Sequence, residues 1–251
     1  QLGVRPGVLY VDGGWQSLVD ALREAALQAG VRIETRREAA RVEPDGTVVH
    51  LQDGGALRAH AVIVTGSPAL AHALVPESGA LATWAESAIP VRAACLDAAL
   101  TRLPRPKARF ALGLDAPLYF SVHSASARLA PPQGAVIHAA RYLGAEPPSD
   151  AAAVEAELER VLDTLQSGWR AHVAHRRFRP DMVVSHALVT AEAGGLAGRP
   201  GPWVPDAPGV LVAGDWVGPE GQLADASLAS AHSAAQRVLA AARPELTRAA
   251  S

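Results

Sequence analysis

The stretch that decides the fold is Gly209-Val210-Leu211-Val212-Ala213-Gly214-Asp215, followed after a short loop by Ala224-Asp225-Ala226-Ser227-Leu228-Ala229-Ser230-Ala231. Four apolar residues bounded by glycines have the pattern of a short strand buried on both faces. Gly214 at its end lets the backbone approach a ligand closely. Asp215 accepts hydrogen bonds from sugar-like hydroxyls, and a helix opening on small residues offers unpaired N–H groups and a positive dipole to a phosphate or an electron-rich ring edge. An isolated Gly-Asp reads as a turn after a strand. Joined to the small-residue helix start, it reads as one wall of a dinucleotide crevice.

Working upstream, Ala61-Val62-Ile63-Val64 is a second uninterrupted apolar run, ended by Thr65-Gly66-Ser67-Pro68. Before it, Ala39–Glu43 and Thr47–Leu51 flank Pro44-Asp45-Gly46 and predict a hairpin, and Asp53-Gly54-Gly55 supplies another turn. Trp15, Leu18, Val19, Leu22 and Ala26 fall at helical spacing behind Asp12-Gly13-Gly14, Gly30 stops that helix, and Val31–Thr35 alternates as a strand would. The middle of the chain has another texture. Short β-like pieces at Val91–Leu100, Leu118–Val122 and Ala135–Ala140 surround one amphipathic helix, Asp150–Gln166, with Val154, Leu158, Val161, Leu162 and Leu165 on its apolar stripe. Trp169, Phe178, Met182 and Val184 follow in a returning strand.

A chain of 251 residues, 49% apolar and 19% charged, buries a core large enough for a globular protein. With a formal net charge of −2 and arginines scattered singly or in pairs, it has no basic stripe for a phosphate backbone, so nucleic acid is not an expected partner. Cys95 is the sole cysteine, which removes internal disulfides and cysteine-clustered metal sites and suits a reducing, cytoplasmic setting. The histidines are dispersed, no His-Glu-x-x-His occurs, and no Gly-x-Ser-x-Gly elbow anchors an acyl-transfer triad, so no metal site is expected and no catalytic residue is assigned. Apolar stretches are interrupted well short of the ~20 residues of a membrane span. Contact with a membrane surface stays open as an expectation.

The segment from Gly209 resembles the C-terminal FAD motif of the phytoene desaturase and flavin amine oxidase superfamily. Tyr10-Val11-Asp12-Gly13-Gly14-Trp15 with its helix, the hairpin, and the Ala-x-Val-Ile-Val-Thr strand ending at Gly66 are similar to that superfamily in the same order. The resemblance implies FAD as cofactor. It implies that Asp215, beside Gly214, bonds the ribityl or pyrophosphate region, that the backbone at Leu223 and Ala224 faces the isoalloxazine pyrimidine edge, that Val42 lies against adenine, and that Gly66 lines the crevice. Tyr119, Phe120 and His123 become candidate residues of the substrate cavity. The superfamily's Gly-x-Gly-x-x-Gly occurs nowhere in the sequence, so by the resemblance the chain is expected to be a C-terminal part whose crevice a missing N-terminal half, or alternatively a complementing chain, completes.

The expected fold is α/β: an incomplete Rossmann-like FAD-binding lobe built from 1–90 and 206–251, around an inserted α+β substrate lobe at 91–205. The expected activity is FAD-dependent oxidation of the desaturase or dehydrogenase type, removing hydride from a C–H bond of a small apolar substrate such as an isoprenoid. At 4% aromatic content, the paired-aromatic cage of an amine oxidase is harder to assemble than an aliphatic cavity. The alternatives are a flavin amine oxidase or protoporphyrinogen oxidase-like enzyme and, in another class, a non-catalytic module that binds a lipid or a partner and has lost FAD.

Overall fold

The computed structural model describes residues 9–144 and 148–249, with side chains through 241. In chain order the elements are α1 (Trp15–Gln28), β1 (Ala39–Val42), β2 (Val48–Leu51), β3 (Ala56–Arg58), β4 (Val62–Thr65), α2 (Pro68–Leu74), α3 (Gly79–Ser87) and β5 (Val91–Leu100). There follow β6 (Phe110–Leu112), β7 (Leu118–Val122), β8 (Ala135–Tyr142), α4 (Ala151–Leu165), β9 (Val173–Ser185), β10 (Val210–Ala213) and α5 (Ala224–Ala249). The α/β class follows, in two compact units: Gln1–Ile33 with Arg92–Val183, and Glu34–Val91 with Val184–Ser251.

The expected boundary at 90 agrees with the observed one at 91, whereas the chain up to residue 33 and the segment 184–205 fall in the other unit from the one expected, for identifiable reasons. The start of the chain belongs with the inserted unit, because the Asp12 carboxylate accepts from Arg128 N–H at 2.8 Å and Gly13 N–H donates to Arg128 O at 2.9 Å. The segment from 184 to 205 belongs with the other unit. Val212 N–H donates to Pro202 O, Gly218 N–H to Pro200 O and Leu188 N–H to Ile89 O, and Trp203 bridges to Leu211 along the side of β10. The stretch Val31–Thr35 is not a strand; Val31 N–H closes the end of α1 on Ala26 O, and no strand partner is available to it among the described residues.

In the first unit, β6-β7-β8-β5-β9 form a five-stranded sheet, with β5 against β8 in register from Ala93↔Tyr142 to Leu100↔Ala135. Strand periodicity then fixes two faces. Ala94, Leu96, Ala98 and Leu100 of β5, Phe120 and Val122 of β7, and Ala135, Ile137 and Ala139 of β8 point to one side and pack with Val154, Leu158 and Leu162 of α4. Asp150 caps α4 by accepting from Ala153 N–H. Each fully buried aliphatic side chain here contributes roughly 1.5–3 kcal/mol. Gln166, just past α4, is fully buried yet satisfied: its Oε1 accepts from Arg105 N–H and its Nε2 donates to Arg105 O and Ala108 O. That side chain pins the β5–β6 loop to the helix end.

In the second unit, β10 pairs with β4 in parallel register, Val210↔Val62 through Ala213↔Thr65, while β1-β2-β3 form an antiparallel meander. Val210, Val212, Val64, Val75, Leu81, Val204, Trp216 and Val42 share one core. The meander is seated against the start of β10 at a point where no side chain fits. A Cβ on Gly209 would lie 1.6 Å from Asp45 O, and one on Gly46 would lie 2.0 Å from Gly209 O. Replacing Gly209 by Ala should therefore force backbone apart and destabilise this unit by about 2–3 kcal/mol; chemical denaturation of Gly209→Ala with a midpoint equal to wild type would refute the contact.

Candidate functional site

Two places in the chain gather functional groups, one in each unit. In the second unit, parallel pairing of β4 and β10 delivers both strand ends to the same level. Gly66 follows β4 with φ +123°, a conformation that L side chains avoid. Gly214 follows β10 so closely that an added Cβ would meet Trp216 Nε1 at 2.8 Å and Gly66 O at 3.1 Å. Trp216 Nε1 donates to Gly66 O at 2.7 Å and locks the two strand ends together. Ser230 of α5 completes the junction: its hydroxyl accepts from Gly214 N–H at 3.0 Å and lies 3.1 Å from Gly214 O.

Asp215 is held from the segment before β10. His186 N–H donates to one carboxylate oxygen at 3.0 Å, and His186 Nδ1 bonds the other at 2.9 Å. Each oxygen retains capacity for a further donor. Arg199 donates from Nη1 to Asp215 O and from Nη2 to Gly221 O, so a single guanidinium fastens both ends of the 215–221 loop. Leu223 then adopts φ +52°, and α5 begins at Ala224. The N–H groups of Leu223 and Ala224 donate to no protein acceptor among the described residues, whereas Asp225 N–H and Ser227 N–H return to Gln222 O and Leu223 O. Two unpaired donors at the head of a helix of 26 residues, a carboxylate with open lone pairs, and two backbones too close for side chains make a polar lip suited to an electron-rich, hydroxylated ligand.

Of the residues singled out in the sequence, Gly66, Gly214, Asp215, Leu223 and Ala224 are therefore gathered within this unit. The Val42 side chain stands apart from them. It is 1% exposed and packed into the core, which leaves only its backbone for a ligand. His186, Arg199, Trp216 and Ser230 are absent from the sequence expectation. Ser230 was signalled by the run of small residues opening α5; His186 and Arg199 lie in an irregular segment with no periodic signal.

In the first unit the sheet face opposite α4 carries the second group. Asp97 and His138 are register partners on β5 and β8, and Asp97 Oδ1 lies 2.6 Å from His138 Nδ1. The His123 ring stacks at 3.8 Å on His138 and at 4.7 Å on Tyr10. Tyr119 shares the face and meets Phe110 edge-on at 5.7 Å. Burial, together with the Tyr10 hydroxyl, pushes the Tyr119 phenol up despite the bond from Ser121. Tyr119 and His123 thus join Tyr10, His138 and Asp97, and Phe120, 1% exposed, points the other way into the α4 core. Cys95 lies on this face as well; burial first, then Asp97, push its thiol up to about 11, so it stays protonated and unreactive.

Burial, reinforced by the adjacent His138, pushes the His123 imidazole down to about 4, with Asp97 pulling weakly the other way. Because this folded value lies below the ~6.5 of an unfolded chain, its stabilising effect is complete above that pH and is lost as pH falls towards about 4. A histidine NMR titration should show His123 neutral throughout pH 5–8 and taking its proton near pH 4; a midpoint at the ordinary value would remove the buried stack.

Three solved structures share the fold over most of this chain. An oxidoreductase from Methanosarcina mazei matches at 19% identity with a TM-score of 0.68, covering 90% of this chain and 55% of the other. A putrescine oxidase variant matches at 12% identity and 0.64, covering 91% and 53%. A reduced UDP-galactopyranose mutase matches at 11% identity and 0.64, covering 84% and 48%. The chain spans about half the length of these proteins. Among curated proteins none matches. The sequence model of the family described as flavin containing amine oxidoreductase matches residues 2–239, nearly the whole chain, and the protein belongs to that family.

Proposed function

We propose that this chain forms the C-terminal share of an FAD-dependent oxidoreductase, contributing the lip that holds the flavin and a sheet that receives the substrate. One observation carries the reading: Gly66, Gly214 and Asp215 follow one end of a parallel strand pair, and Arg199 ties Asp215 to the loop that leads to the unpaired N–H groups of Leu223 and Ala224. Their donors and acceptors match what an FAD presents, carbonyl oxygens on its pyrimidine ring and hydroxyls on its ribityl chain. When bound, the flavin supplies a two-electron acceptor for hydride removed from a substrate C–H bond. The protein does the remaining work. The head of α5 would offer positive dipole to an electron-rich ring edge, His186 and Arg199 hold Asp215 and its loop in place before binding, and the Gly66–Gly214 contact fixes the spacing of the strand ends.

The substrate reading deepens the expectation of an apolar molecule. The sheet face opposite α4 presents Tyr119, Val136 and Ala140 beside one polar strip of Ser121, Asp97 and His138. That pairing of surfaces supports a largely apolar substrate with one hydrogen-bonding end, oxidised in the desaturase or dehydrogenase manner. An isoprenoid with an oxygenated end meets this description better than a plain hydrocarbon does.

The purified protein is incubated with FAD and followed by flavin absorbance and fluorescence quenching. Stoichiometric binding is expected once an N-terminal half is supplied, weakened about tenfold or more in Asp215→Ala, the effect of losing a charge-assisted hydrogen bond. Flavin affinity unchanged by Asp215→Ala would remove the assignment. A well-folded chain that ignores FAD, alone and with an N-terminal half added, would favour the non-catalytic binding module.

A further inference from the structure

The β5–β6 loop and β6 place a run of exposed cations directly beside exposed apolar side chains. Arg102, Arg105, Lys107 and Arg109 are all exposed, and no acidic residue lies between Asp97 and Asp115. Among the described residues none of the four cations pairs with a carboxylate, whereas Arg128, Arg141, Arg170 and Arg176 of the same unit each do. Arg102 donates to the His172 ring, and Arg105 and Arg109 bond only backbone carbonyls, of Thr164 and Pro106. Their charge is therefore uncompensated in a chain whose net charge is −2.

The apolar part begins where the cations end. Phe110 is 61% exposed, Leu112 60% and Leu114 99%. All three lie along β6, an edge strand that pairs only with β7, and the turn after it. On the α4 side of the sheet, a groove of about 420 Å³ is lined by Leu118, Val161 and Leu165. The loop is braced by the three hydrogen bonds of Gln166, so charges and apolar side chains are presented together. The exposed apolar run on α1 lacks such a field: Trp15, Val19 and Leu22 sit beside Asp20 and Glu24 as well as Arg23.

We infer that the β5–β6 loop and β6 dock this protein on an anionic lipid bilayer, with Arg102, Arg105, Lys107 and Arg109 at the headgroups and Phe110, Leu112 and Leu114 entering the interface. Charge complementarity selects the occupant. Cations near an anionic leaflet each contribute about 1 kcal/mol, and reversible surface binding takes an electrostatic and an apolar signal together, both supplied by residues 102–114. Nucleic acid would use the charges and leave three adjoining aliphatic or aromatic side chains in water. The inference does not depend on the cofactor reading.

Co-sedimentation with vesicles tests it. The wild-type chain is expected to bind vesicles of equal phosphatidylcholine and phosphatidylglycerol, to ignore pure phosphatidylcholine, and to be released by added salt. Lys107→Gln with Arg109→Gln should weaken binding more than tenfold, at about fivefold per charge. Leu114→Ser, at a fully exposed position, should weaken it separately while leaving the circular dichroism spectrum unchanged. Equal binding to neutral vesicles, insensitivity to these substitutions, no binding at all, or lipid-free self-association abolished by Leu114→Ser would each overturn the inference.

Discussion

Parallel pairing of β4 with β10 is the constraint on which the second unit depends. Its register sets Val62 opposite Val210 and Thr65 opposite Ala213, and thereby brings Gly66 and Gly214 into contact across almost 150 residues of chain. Parallel strands require a crossover connection, and here all five strands of the other sheet, β5 to β9, lie within it in sequence. Because β10 is buried at all four positions, slippage by one residue would move Gly214 away from Gly66 and break the Trp216 and Ser230 bonds at once. Buried apolar contact determines where the polar lip stands.

The two units solve the same problem of placing polar groups on rigid supports, in different ways. In the second, the functional groups are mostly backbone N–H and C=O at strand and helix ends, organised by side chains from a distant irregular segment. In the first, they are side chains on the face of a sheet whose other face is filled by α4. There, alternation decides everything: Phe120 belongs to the core and Tyr119 to the open face, although they are neighbours in sequence.

Much of this was legible in the residue order. The apolar runs 61–64 and 210–213, the stripe on 150–166 and the hairpin around Pro44-Asp45-Gly46 all appear as elements of the expected kind. The resemblance to flavin amine oxidases rested on the same segments, and the family assignment agrees with it. Less legible were the unit boundaries. Residues 9–33 join the inserted unit through Asp12 and Arg128, a pair separated by 116 positions that no periodicity announces. Likewise the exposed cations at 102–109 are spaced too irregularly to stand out until the loop is seen braced by Gln166.

By itself, then, the sequence determined the main strands and helices, among them the two glycine-terminated apolar strands, the hairpin and the amphipathic helices, while the strand expected at Val31–Thr35 did not form and α2 and α3 stood outside the expectation. Those properties are local, set by periodicity, glycine freedom and side-chain type. The tertiary structure alone decided that His186 and Arg199 grip Asp215 and its loop, that Asp97 meets His138 beneath His123, and that Val42 and Phe120 serve cores. Such assignments depend on which side of a sheet a residue faces and which remote segment crosses beside it, and both are fixed only when strand register and burial are satisfied together.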